Sequence, residues 1–525
     1  MNRDASLHQA ITENKPWDVV VIGGGATGLG TAVDAASRGY RTLLVEQSDF
    51  AKATSSRSTK LAHGGVRYLQ QGNLSLVLEA LKERGRMLHN APHLVRRQSF
   101  VIPAFALWEI PFYGIGLKTY DALSGKSSFG KSHMLAKSAV QQMLPTLASN
   151  SLTGGVEYFD GQFDDARYTL ALAQTLESLG GVAINYARMI RLLKTNETVS
   201  GIVVQDEETG AHFDIQARAV INATGVFTDD VRLLDEPQAP PLLTVSQGSH
   251  FVLPKSFLPG THALMVPKTA DGRVLFAIPW HGAVVVGTTD EGVPRASLEP
   301  HAMEIETAFL SHHIELYFGR RPKDSEVLSM WSGLRPLVRK QGAKGTAALS
   351  REHTVLVSPS KLVSVTGGKW TTYRRMGEDA VNIAAKATGL PNAPSTTQNL
   401  RLYGWNEAAA AASDAEHELA VYGSQQAAID ALAAASPDLA THLHPRLPYR
   451  LAEVTWAVRQ EMARTVEDVL ARRTRALFLD ARAAIDAAPT VAARLAAELG
   501  RDELWQRSQI DAFRQTAAGY VYGSR

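Results

Sequence analysis

Residues 17–46 read WDVVVIGGGATGLGTAVDAASRGYRTLLVE, and this stretch decides the fold. The apolar run 19–22 predicts a buried parallel strand, after which Gly23, Gly25 and Gly28 follow in the spacing G-x-G-x-x-G. Glycines there allow a tight turn, a close approach of backbone to a pyrophosphate, and close packing of a helix on the strand. The N-terminus of that helix offers N–H groups to an anion. The stretch therefore predicts a dinucleotide-binding βαβ unit.

The remainder of the unit follows at the distance that this chemistry needs. Arg38 and Gly39 end the predicted helix, and the run 42–45 predicts a second strand. Glu46 comes next, about 20 residues beyond the glycines, where a carboxylate can accept hydrogen bonds from a ribose. The residues assigned to this part of the cofactor site are Gly23, Gly25, Thr27, Gly28 and Glu46.

The composition excludes several classes of protein. The chain has 525 residues, more than one hydrophobic core usually supports, so two or three domains are expected. Its 54 Lys and Arg residues against 52 Asp and Glu leave a formal charge of +2 without a basic stripe, so nucleic acid is not an expected partner. The absence of cysteine excludes disulfides and thiolate metal sites, and it leaves any redox chemistry to a bound cofactor.

The sequence predicts neither a secretion signal nor a membrane span. Residues 1–16 are polar and lack the apolar core of a signal peptide. The longest apolar stretch, 101–117, contains Pro103, Glu109 and Pro111, so it is too short and too interrupted to cross a bilayer. We therefore expect a cytoplasmic protein.

Periodicity predicts an α/β body that extends to about residue 390. Alternating segments near 182–190, 199–206 and 211–222 predict an antiparallel meander. A second β-rich region, 249–290, contains a predicted hairpin turn and is expected to build a substrate-facing sheet. The stretch 391–399 has the composition of a linker, and alanine-rich helical patterns follow it.

Segments far apart in the sequence favour FAD over NAD. The loop 54–65 carries hydroxyls and a glycine pair, the strand ending near 225 has small residues, and the glycine turn 367–368 precedes a predicted helix. A long cofactor laid across a fold needs such distant contacts, whereas a nicotinamide cofactor concentrates them in one half-domain. The further candidate cofactor residues are Thr54, Ser55, Leu61, His63, Gly64, Gly65, Met189, Ala223, Gly225, Gly368, Lys369 and Thr371.

Several segments spread along the chain together carry a resemblance to a known family: VIGGGATGLG, TSSRSTKLAHGGVRYLQQGN, NATG, GSHFV, IPW, GTTD, SGLRPL, GGKWTTYR and EVTWAVRQEMARTVEDVLARRTR. In these the chain resembles the FAD-dependent (aerobic, respiratory) glycerol-3-phosphate dehydrogenases. The resemblance implies oxidation of sn-glycerol 3-phosphate to dihydroxyacetone phosphate by hydride transfer to FAD, with electrons passed to a membrane quinone. It also implies peripheral attachment to the inner face of the cytoplasmic membrane, and it leaves a homodimer open.

The resemblance implies an α/β (α+β) fold of the glutathione-reductase-like/D-amino-acid-oxidase class. An FAD-binding Rossmann domain would then interleave with an antiparallel-sheet substrate domain within residues 17–390. The nucleotide-binding segments are expected near 17–75, 155–235 and 325–390, and the substrate-domain segments near 76–154 and 236–324. A C-terminal helical domain is expected over 400–525.

By the same resemblance, cationic and hydroxyl side chains hold the phosphate and hydroxyls of the substrate. These are Arg67, Tyr68, Arg335 and Lys369, with Arg335 also counted as catalytic; Arg offers a planar fork and Lys a point charge. Loss of the C2 hydroxyl proton requires a base, and histidine suits this role because its ordinary pKa is near 6.5. His63 and His250 compete for it, with His250 preferred, and His250 is also counted as substrate-binding.

Other charged and aromatic residues have structural interpretations. Arg472 and Arg473 are expected to pack or pair within the helical domain. The acids Asp160, Asp164 and Asp165 are interpreted as helix-start residues, and no metal site is expected. The stretch 104–120, with Leu107, Trp108, Ile110, Phe112, Tyr113, Ile115 and Leu117, fits a membrane interface and core packing about equally.

Three other functions remain open at this point. A glycerol-3-phosphate oxidase would perform the same substrate chemistry with O₂ as acceptor, although the inserted segment of such oxidases is not seen here. A flavin-dependent oxidoreductase for an amino acid or 2-hydroxy acid would also use an arginine for its substrate carboxylate. A nucleotide-sensing or scaffold protein would bind no flavin.

Overall fold

The computed structural model describes residues 1–12, 15–65, 73–125, 128–269, 272–339, 352–408 and 420–523. Its helices are α1 (Arg3–Thr12), α2 (Ala26–Ser37), α3 (Leu74–Asn90), α4 (Glu109–Ser124), α5 (Lys137–Met143), α6 (Asp165–Ser178), α7 (Thr228–Asp235), α8 (Glu304–Phe318), α9 (Tyr373–Thr388), α10 (Gln426–Ala435), α11 (Leu451–Glu461), α12 (Ala476–Leu479), α13 (Ala481–Leu499) and α14 (Glu503–Ala518). Its strands are β1 (Trp17–Ile22), β2 (Thr42–Val45), β3 (Leu61–Ala62), β4 (Val95–Ala104), β5 (His133–Ala136), β6 (Gly154–Phe163), β7 (Val182–Ile184), β8 (Ala187–Thr195), β9 (Thr198–Asp206), β10 (His212–Asn222), β11 (Leu243–Pro254), β12 (Ala263–Val266), β13 (Leu275–Trp280), β14 (Ala283–Gly287), β15 (Glu291–Val293), β16 (Ser329–Val338), β17 (His353–Val357) and β18 (Val363–Gly367).

The first sheet is the nucleotide-binding one, with strand order β17-β18-β10-β1-β2-β7. The predicted βαβ unit forms as β1, α2 and β2, whose strands pair in parallel. The expected meander also forms, because β8, β9 and the first half of β10 pair antiparallel. The second half of β10 then pairs in parallel with β1, so one long strand joins the meander to the sheet.

Helices α2, α6 and α9 pack with the first sheet around one apolar core. The α2 stretch is rich in small residues, and ten of its twelve residues are buried. Helix α6 begins where expected, because the Asp164 carboxylate accepts a hydrogen bond from the Arg167 N–H and caps its N-terminus. The core therefore sits behind the strand ends at which a nucleotide is expected.

The second sheet follows the order β15-β11-β14-β13-β12-β4-β6-β3, with β16 beside β11 and β5 beside β6. The predicted hairpin joins β13 to β14, and both turn residues, His281 and Gly282, have positive φ, as a two-residue turn requires. Two strands lie in this sheet although the predicted boundaries grouped them with the nucleotide-binding segments. Strand β6 pairs with β4 along its whole length, and β16 does so with β11. Such pairing depends on partners distant in sequence, which periodicity does not reveal.

The C-terminal part is helical, as the resemblance implied, and it packs against both sheets. Leu402, Tyr422 and Trp456 belong to the core of the first sheet. Residues from α11 to α14 share a second core with Trp280 and Trp331 of the other sheet. The helical part therefore closes over the body of the molecule rather than forming a core of its own.

Among the described residues, no helix is long and apolar enough to cross a membrane.

Candidate active site

A first cavity, of about 760 Å³, lies at the C-terminal end of β1. It extends from the glycine turn between β1 and α2 to the second glycine turn, Gly367–Gly368. Ligands in open α/β sheets bind at this edge, outside the carboxyl ends of the strands. The predicted cofactor residues that line it are Gly23, Gly25, Thr27, Glu46, Thr54, Ser55, Met189, Ala223, Gly225, Gly368 and Lys369.

The glycines of the first turn leave space that any side chain would fill. Gly23 has φ +112°, and a Cβ there would lie 2.7 Å from the Ala223 carbonyl oxygen. A Cβ on Gly28 would lie 1.8 Å from the Gly23 carbonyl oxygen, so Gly28 serves helix packing and does not line the cavity. A Cβ on Gly25 would meet only the Ser55 side chain. Gly25 is thus the glycine whose missing side chain belongs to the cavity.

The carboxylate of Glu46 is fixed at the cavity wall by two backbone amides. Gly24 N–H donates to Oε2 at 2.6 Å, and Ser48 N–H donates to Oε1 at 2.9 Å. Burial raises the pKa of Glu46 above its usual value, although both hydrogen bonds oppose that effect. Each oxygen keeps a second lone pair, so the carboxylate can accept ribose hydroxyls as the sequence predicted.

The hydroxyl-rich loop is tied to three other elements. Ser55 Oγ accepts a hydrogen bond from the Ala26 N–H at 2.9 Å, which links the loop to the N-terminus of α2. Thr54 Oγ1 donates to the Leu334 carbonyl at 2.9 Å, and Trp370 Nε1 donates to the Ser55 carbonyl at 3.0 Å. The loop is therefore held against both sheets.

A second cavity, of about 310 Å³, adjoins the first. Both cavities are lined by Thr54, Pro336, Gly368, Lys369 and Trp370. Four further predicted cofactor residues line only this second one, namely Leu61, His63, Gly65 and Thr371. Gly64 lines neither cavity, because the space beside it is taken by Tyr120 and Leu81.

The second cavity has one polar wall and one apolar wall. The polar wall carries His63, His250, Arg335 and Lys369, which the sequence proposed, together with Thr59, Thr288 and Asp290. The apolar wall is formed by Phe100, Tyr158, Met265, Val274 and Phe276. The aromatic rings of Phe100 and Tyr158 are stacked with their centroids 5.2 Å apart. Such a wall excludes water from one side of a polar ligand and strengthens its contacts with the other side.

Arg335 is held in a fixed orientation on β16. Its Nη2 donates to Thr288 Oγ1 at 3.0 Å and to the Thr289 carbonyl at 3.1 Å, and its Nη1 lies 3.4 Å from Asp290 Oδ1. The side chain keeps 24 % of its surface exposed. A guanidinium oriented in this way can receive a phosphate without losing much rotational freedom.

His250 is almost completely buried beside the cavity. Its ring stacks on Trp331 with centroids 4.0 Å apart, and its Nε2 lies 3.0 Å from Thr59 Oγ1. Burial, with the nearby positive charges of Lys60 and Arg335, holds the pKa of His250 well below its usual value. The surroundings of the imidazole therefore favour its neutral form.

His63 differs from His250 because it is only partly buried in the cavity wall. Its backbone N–H donates to Thr371 Oγ1 at 3.2 Å, which anchors the residue to the segment before α9. Two other predicted substrate residues, Arg67 and Tyr68, lie outside the described residues.

Several functional candidates were missed by sequence reasoning. Thr59 and Asp290 stand in motifs that the sequence singled out, but nothing in those motifs shows which hydroxyl or carboxylate faces the cavity. The apolar wall had no sequence signal, because its residues come from separate strands or their ends. The acid Asp160, interpreted as a helix-start residue, lies instead in β6, where it pairs with Arg84 at 2.8 Å.

Three buried arginines of the C-terminal part contact the segment that follows β2 and the hydroxyl-rich loop next to it. Arg473 Nη2 donates to Asp49 Oδ1 at 2.9 Å, and Arg472 also pairs with the Asp49 carboxylate. Arg475 Nη2 donates to the Ser56 carbonyl at 2.9 Å. Arg472 and Arg473 also pair within the helical part, as expected, with the Asp468 carboxylate and the Glu461 carbonyl respectively. The contact of both with Asp49, in the segment that follows β2, was not predicted.

The donor set and the shape of the first cavity fit FAD. Its glycine turn and helix N-terminus suit a pyrophosphate, and Glu46 suits a ribose. Its far end, at Gly368 and Lys369, opens onto the second cavity, so the reactive end of a long cofactor would meet a substrate there.

Comparison with known proteins gives matches over nearly the whole chain. A family model described as FAD dependent oxidoreductase matches residues 18–374, and one described as the C-terminal domain of alpha-glycerophosphate oxidase matches residues 365–506. The chain is 37 % identical to the mitochondrial glycerol-3-phosphate dehydrogenase of Macaca fascicularis, over 99 % of this chain and 75 % of the relative. It is 38 % identical to that of Arabidopsis thaliana, over 95 % of this chain and 86 % of the relative.

A solved structure is similar along the whole length. It is the glycerol-3-phosphate dehydrogenase from Bacillus halodurans complexed with FAD, with a TM-score of 0.81, 29 % identity, and coverage of 99 % of this chain and 97 % of that one. L-alpha-glycerophosphate oxidase from Mycoplasma pneumoniae, at 16 % identity and a TM-score of 0.57, covers 73 % of this chain and 97 % of its own. That second likeness concerns the fold alone.

Proposed function

The chain belongs to the family of FAD-dependent glycerol-3-phosphate dehydrogenases, and from this we propose that it oxidises sn-glycerol 3-phosphate to dihydroxyacetone phosphate. The observation that carries the proposal is the second cavity, whose lining includes four cationic side chains and two histidines beside the far end of the first cavity. The cations are Arg57, Arg273, Arg335 and Lys369. When bound, FAD supplies a two-electron acceptor for the hydride of the carbon that bears the alcohol.

The cations of the second cavity bind and orient the substrate. Arg335 presents a planar fork for two phosphate oxygens, and Lys369 adds a point charge where the two cavities meet. The apolar residues that line the same cavity exclude water, which strengthens both contacts. The substrate is thereby held with its carbon chain between the charged wall and the first cavity.

His63 is the better candidate for the proton acceptor. A general base works best when its pKa lies near the working pH, and burial with two neighbouring cations makes His250 a poor acceptor. His63 lines the same cavity with part of its surface exposed. We therefore reverse the preference drawn from sequence and place His63 at the alcohol proton, with His250 as a neutral hydrogen-bonding group.

The function is tested by mixing the holoenzyme anaerobically with glycerol 3-phosphate. The visible flavin band is expected to bleach, and dihydroxyacetone phosphate is expected to appear in equal amount. A flavin that stays oxidised with this substrate, but is reduced by an amino acid or a 2-hydroxy acid, would contradict the proposed substrate.

The two histidines are separated by the pH profile of flavin reduction. His63→Asn is expected to slow reduction by about 10²-fold or more, because it removes the base. The rate of flavin reduction should also no longer fall at low pH. That fall is expected in wild type because a base must be unprotonated to accept the alcohol proton. His250→Asn is expected to keep the acidic limb, because burial and the neighbouring cations hold the pKa of His250 well below its usual value. A limb that survives in His63→Asn and disappears in His250→Asn would restore the first preference.

We further propose a quinone as electron acceptor and α4 as the surface that meets the membrane. Four large apolar side chains project from α4 and its N-terminal end: Leu107, Trp108, Phe112 and Ile115, with 76, 64, 54 and 65 % of their surfaces exposed. Lys118 is exposed near them, where it could reach lipid headgroups. A lipid-soluble acceptor must be met at the bilayer, so an exposed apolar helix face near the substrate cavity fits this need.

The opposite face of α4 packs inward. Leu117 is buried with Phe100 and Tyr158 of the apolar wall, and Ile110 and Tyr113 are partly buried. Of the two alternatives left open for this stretch, core packing holds for Leu117, because helical periodicity turns it away from Trp108 and Phe112. The apolar stretch serves the core with one face and remains exposed on the other.

Flotation with vesicles tests this surface. Trp108→Ser combined with Phe112→Ser is expected to abolish co-flotation with phosphatidylethanolamine–phosphatidylglycerol vesicles, because two exposed aromatic anchors are lost. Thermal stability and flavin reduction by glycerol 3-phosphate should not change. The matched control, Leu316→Ser with Leu504→Ser, removes two equally exposed apolar residues elsewhere and should float like wild type. Unchanged flotation of the α4 variant would place the contact on another surface.

The oxidase function keeps one point in its favour, since the matched C-terminal model is described from alpha-glycerophosphate oxidase. Peroxide formed in stoichiometric amount during aerobic turnover would favour it. Slow reoxidation by air with rapid reoxidation by a quinone analogue would favour the dehydrogenase.

A further inference from the structure

Thr59 places a hydroxyl in the second cavity in direct contact with His250. Its Oγ1 lies 3.0 Å from His250 Nε2, and its side chain is partly exposed to the cavity. Among the described residues, no other hydrogen bond of the Thr59 hydroxyl is found. A hydroxyl can make up to three hydrogen bonds, so Thr59 retains capacity for a ligand.

The imidazole beside Thr59 is closely packed by its neighbours. Trp331 stacks on one side with its ring inclined by 19°, and on another side a Cβ at Gly287 would lie 2.3 Å from His250 Cδ2. Only 2 % of the surface of His250 is exposed. The imidazole therefore cannot rotate to meet different ligands, and among the described residues Thr59 is its hydrogen-bond partner.

The surroundings of His250 favour one of its two neutral tautomers. Its Nδ1 is buried and has no hydrogen-bond partner among the described residues. A hydrogen on Nδ1 would be a buried unpaired donor, which proteins avoid more strictly than an unpaired acceptor. The proton therefore belongs on Nε2, and His250 donates it to Thr59 Oγ1.

We propose that Thr59 is a substrate-binding residue whose hydroxyl is turned into the cavity as a donor by His250. With its lone pair engaged by Nε2–H, the Thr59 hydroxyl directs its own hydrogen away from the imidazole and toward the cavity. It then donates to an oxygen of glycerol 3-phosphate, either on the phosphate or on the reacting carbon. The inference rests on the proposed function, because it assumes that this cavity takes that substrate.

This assignment gives His250 a task that a poor base can perform. A neutral imidazole locked between Trp331 and Gly287 keeps the Thr59 hydroxyl in one orientation. Orientation matters because a freely rotating hydroxyl would point its hydrogen at the substrate only part of the time. Binding the substrate would then also cost the loss of that rotation. Thr59 and His250 together therefore act as one oriented donor.

The first test replaces the hydroxyl by a methyl group of similar size. Thr59→Val is expected to lower kcat/KM for glycerol 3-phosphate by about five- to tenfold, the effect of one neutral hydrogen bond. FAD affinity and melting temperature should match wild type, because Thr59 lines only the second cavity. Thr59→Ser keeps the hydroxyl and should stay within about twofold of wild type. Equal loss in both variants, or no loss in either, would overturn the proposal.

The second test asks whether His250 acts through Thr59. His250→Phe keeps a flat ring on Trp331 but removes the N–H, and in the double variant its effect should add little to that of Thr59→Val. Full additivity of the two losses would show independent roles and overturn the link.

Binding titrations show which of the two candidate oxygens accepts the hydrogen bond from Thr59. They also test the role of Thr59 separately from the proposed function. The holoenzyme is titrated with dihydroxyacetone phosphate and with inorganic phosphate, with the flavin absorbance as readout. Weakened binding of both ligands in Thr59→Val places the donor at the phosphate, and weakened binding of dihydroxyacetone phosphate alone places it at the carbon-bound oxygen. Unchanged binding of both overturns the proposal. If the proposed function fails, the wild-type flavin is not reduced by glycerol 3-phosphate at all, whereas these titrations still report on Thr59.

Discussion

Gly25→Val is expected to yield a folded but colourless protein. A Cβ at this position meets only the Ser55 side chain, so the backbone of the βαβ unit can remain as it is. The rest of the valine side chain would occupy the first cavity where backbone amides face the pyrophosphate. Losing two or more charge-assisted hydrogen bonds of about 1.5–3 kcal/mol each should weaken FAD binding by at least about 10²-fold.

Two measurements are needed. The FAD content of the purified variant is compared with that of wild type, and the melting temperature of the variant is compared with that of the wild-type apoprotein. Gly116→Val is the matched control, because a Cβ there meets nothing within 4 Å, and it should bind FAD normally. Gly28→Val is expected to fail differently, since its Cβ would collide with the Gly23 carbonyl and unfold the unit. A Gly25→Val protein that keeps wild-type FAD affinity would show that the pyrophosphate lies elsewhere.

Arg335→Ala and Lys369→Ala are expected to produce the largest losses in turnover. Each removes a charge-assisted contact to the substrate phosphate, worth about 1.5–3 kcal/mol, which corresponds to about one to two orders of magnitude in kcat/KM. The loss should exceed that of Thr59→Val, because an ionised donor forms a stronger hydrogen bond than a hydroxyl. Arg335→Ala should leave FAD bound, whereas Lys369→Ala is also expected to weaken FAD, since Lys369 lines both cavities.

Stopped-flow reduction over a range of glycerol 3-phosphate concentrations separates binding from chemistry for these variants. Arg459→Ala serves as the control, because its guanidinium pairs with Glu498 at the surface and contacts neither cavity. Wild-type kinetics in both Arg335→Ala and Lys369→Ala would mean that the phosphate binds at a different place. Arg335→Lys should recover only part of the loss, since a point charge does not replace a planar fork.

The nucleotide-binding part of the fold was predictable because its signals are local. The apolar run before Gly23, the glycine spacing and Glu46 lie within thirty residues and report on backbone conformation directly. The loop containing Thr54 and Ser55 could be assigned by its hydroxyls, and the structure places both at the first cavity. The same reasoning did not reveal that Tyr120 and Leu81 fill the space beside Gly64, because both are remote from it in sequence.

The roles within the second cavity were not predictable from residue types. His63 and His250 are chemically identical side chains, and the pKa of His250 falls because of burial beside Lys60 and Arg335. Both of these cations reach His250 through strand pairing and loop packing, which no single-sequence pattern contains. The proposal that His63 rather than His250 is the base therefore rests on the tertiary structure.

The sequence by itself determined the βαβ unit, the family and the set of charged groups, since each of these depends on short motifs that can be recognised without knowing what surrounds them in space. Only the tertiary structure decided which face of α4 is exposed, that Arg473 and Arg475 reach the loop after β2, and that Thr59 meets His250. The physical reason is that burial, pairing and pKa are properties of the space around a side chain. That space is filled by residues hundreds of positions away.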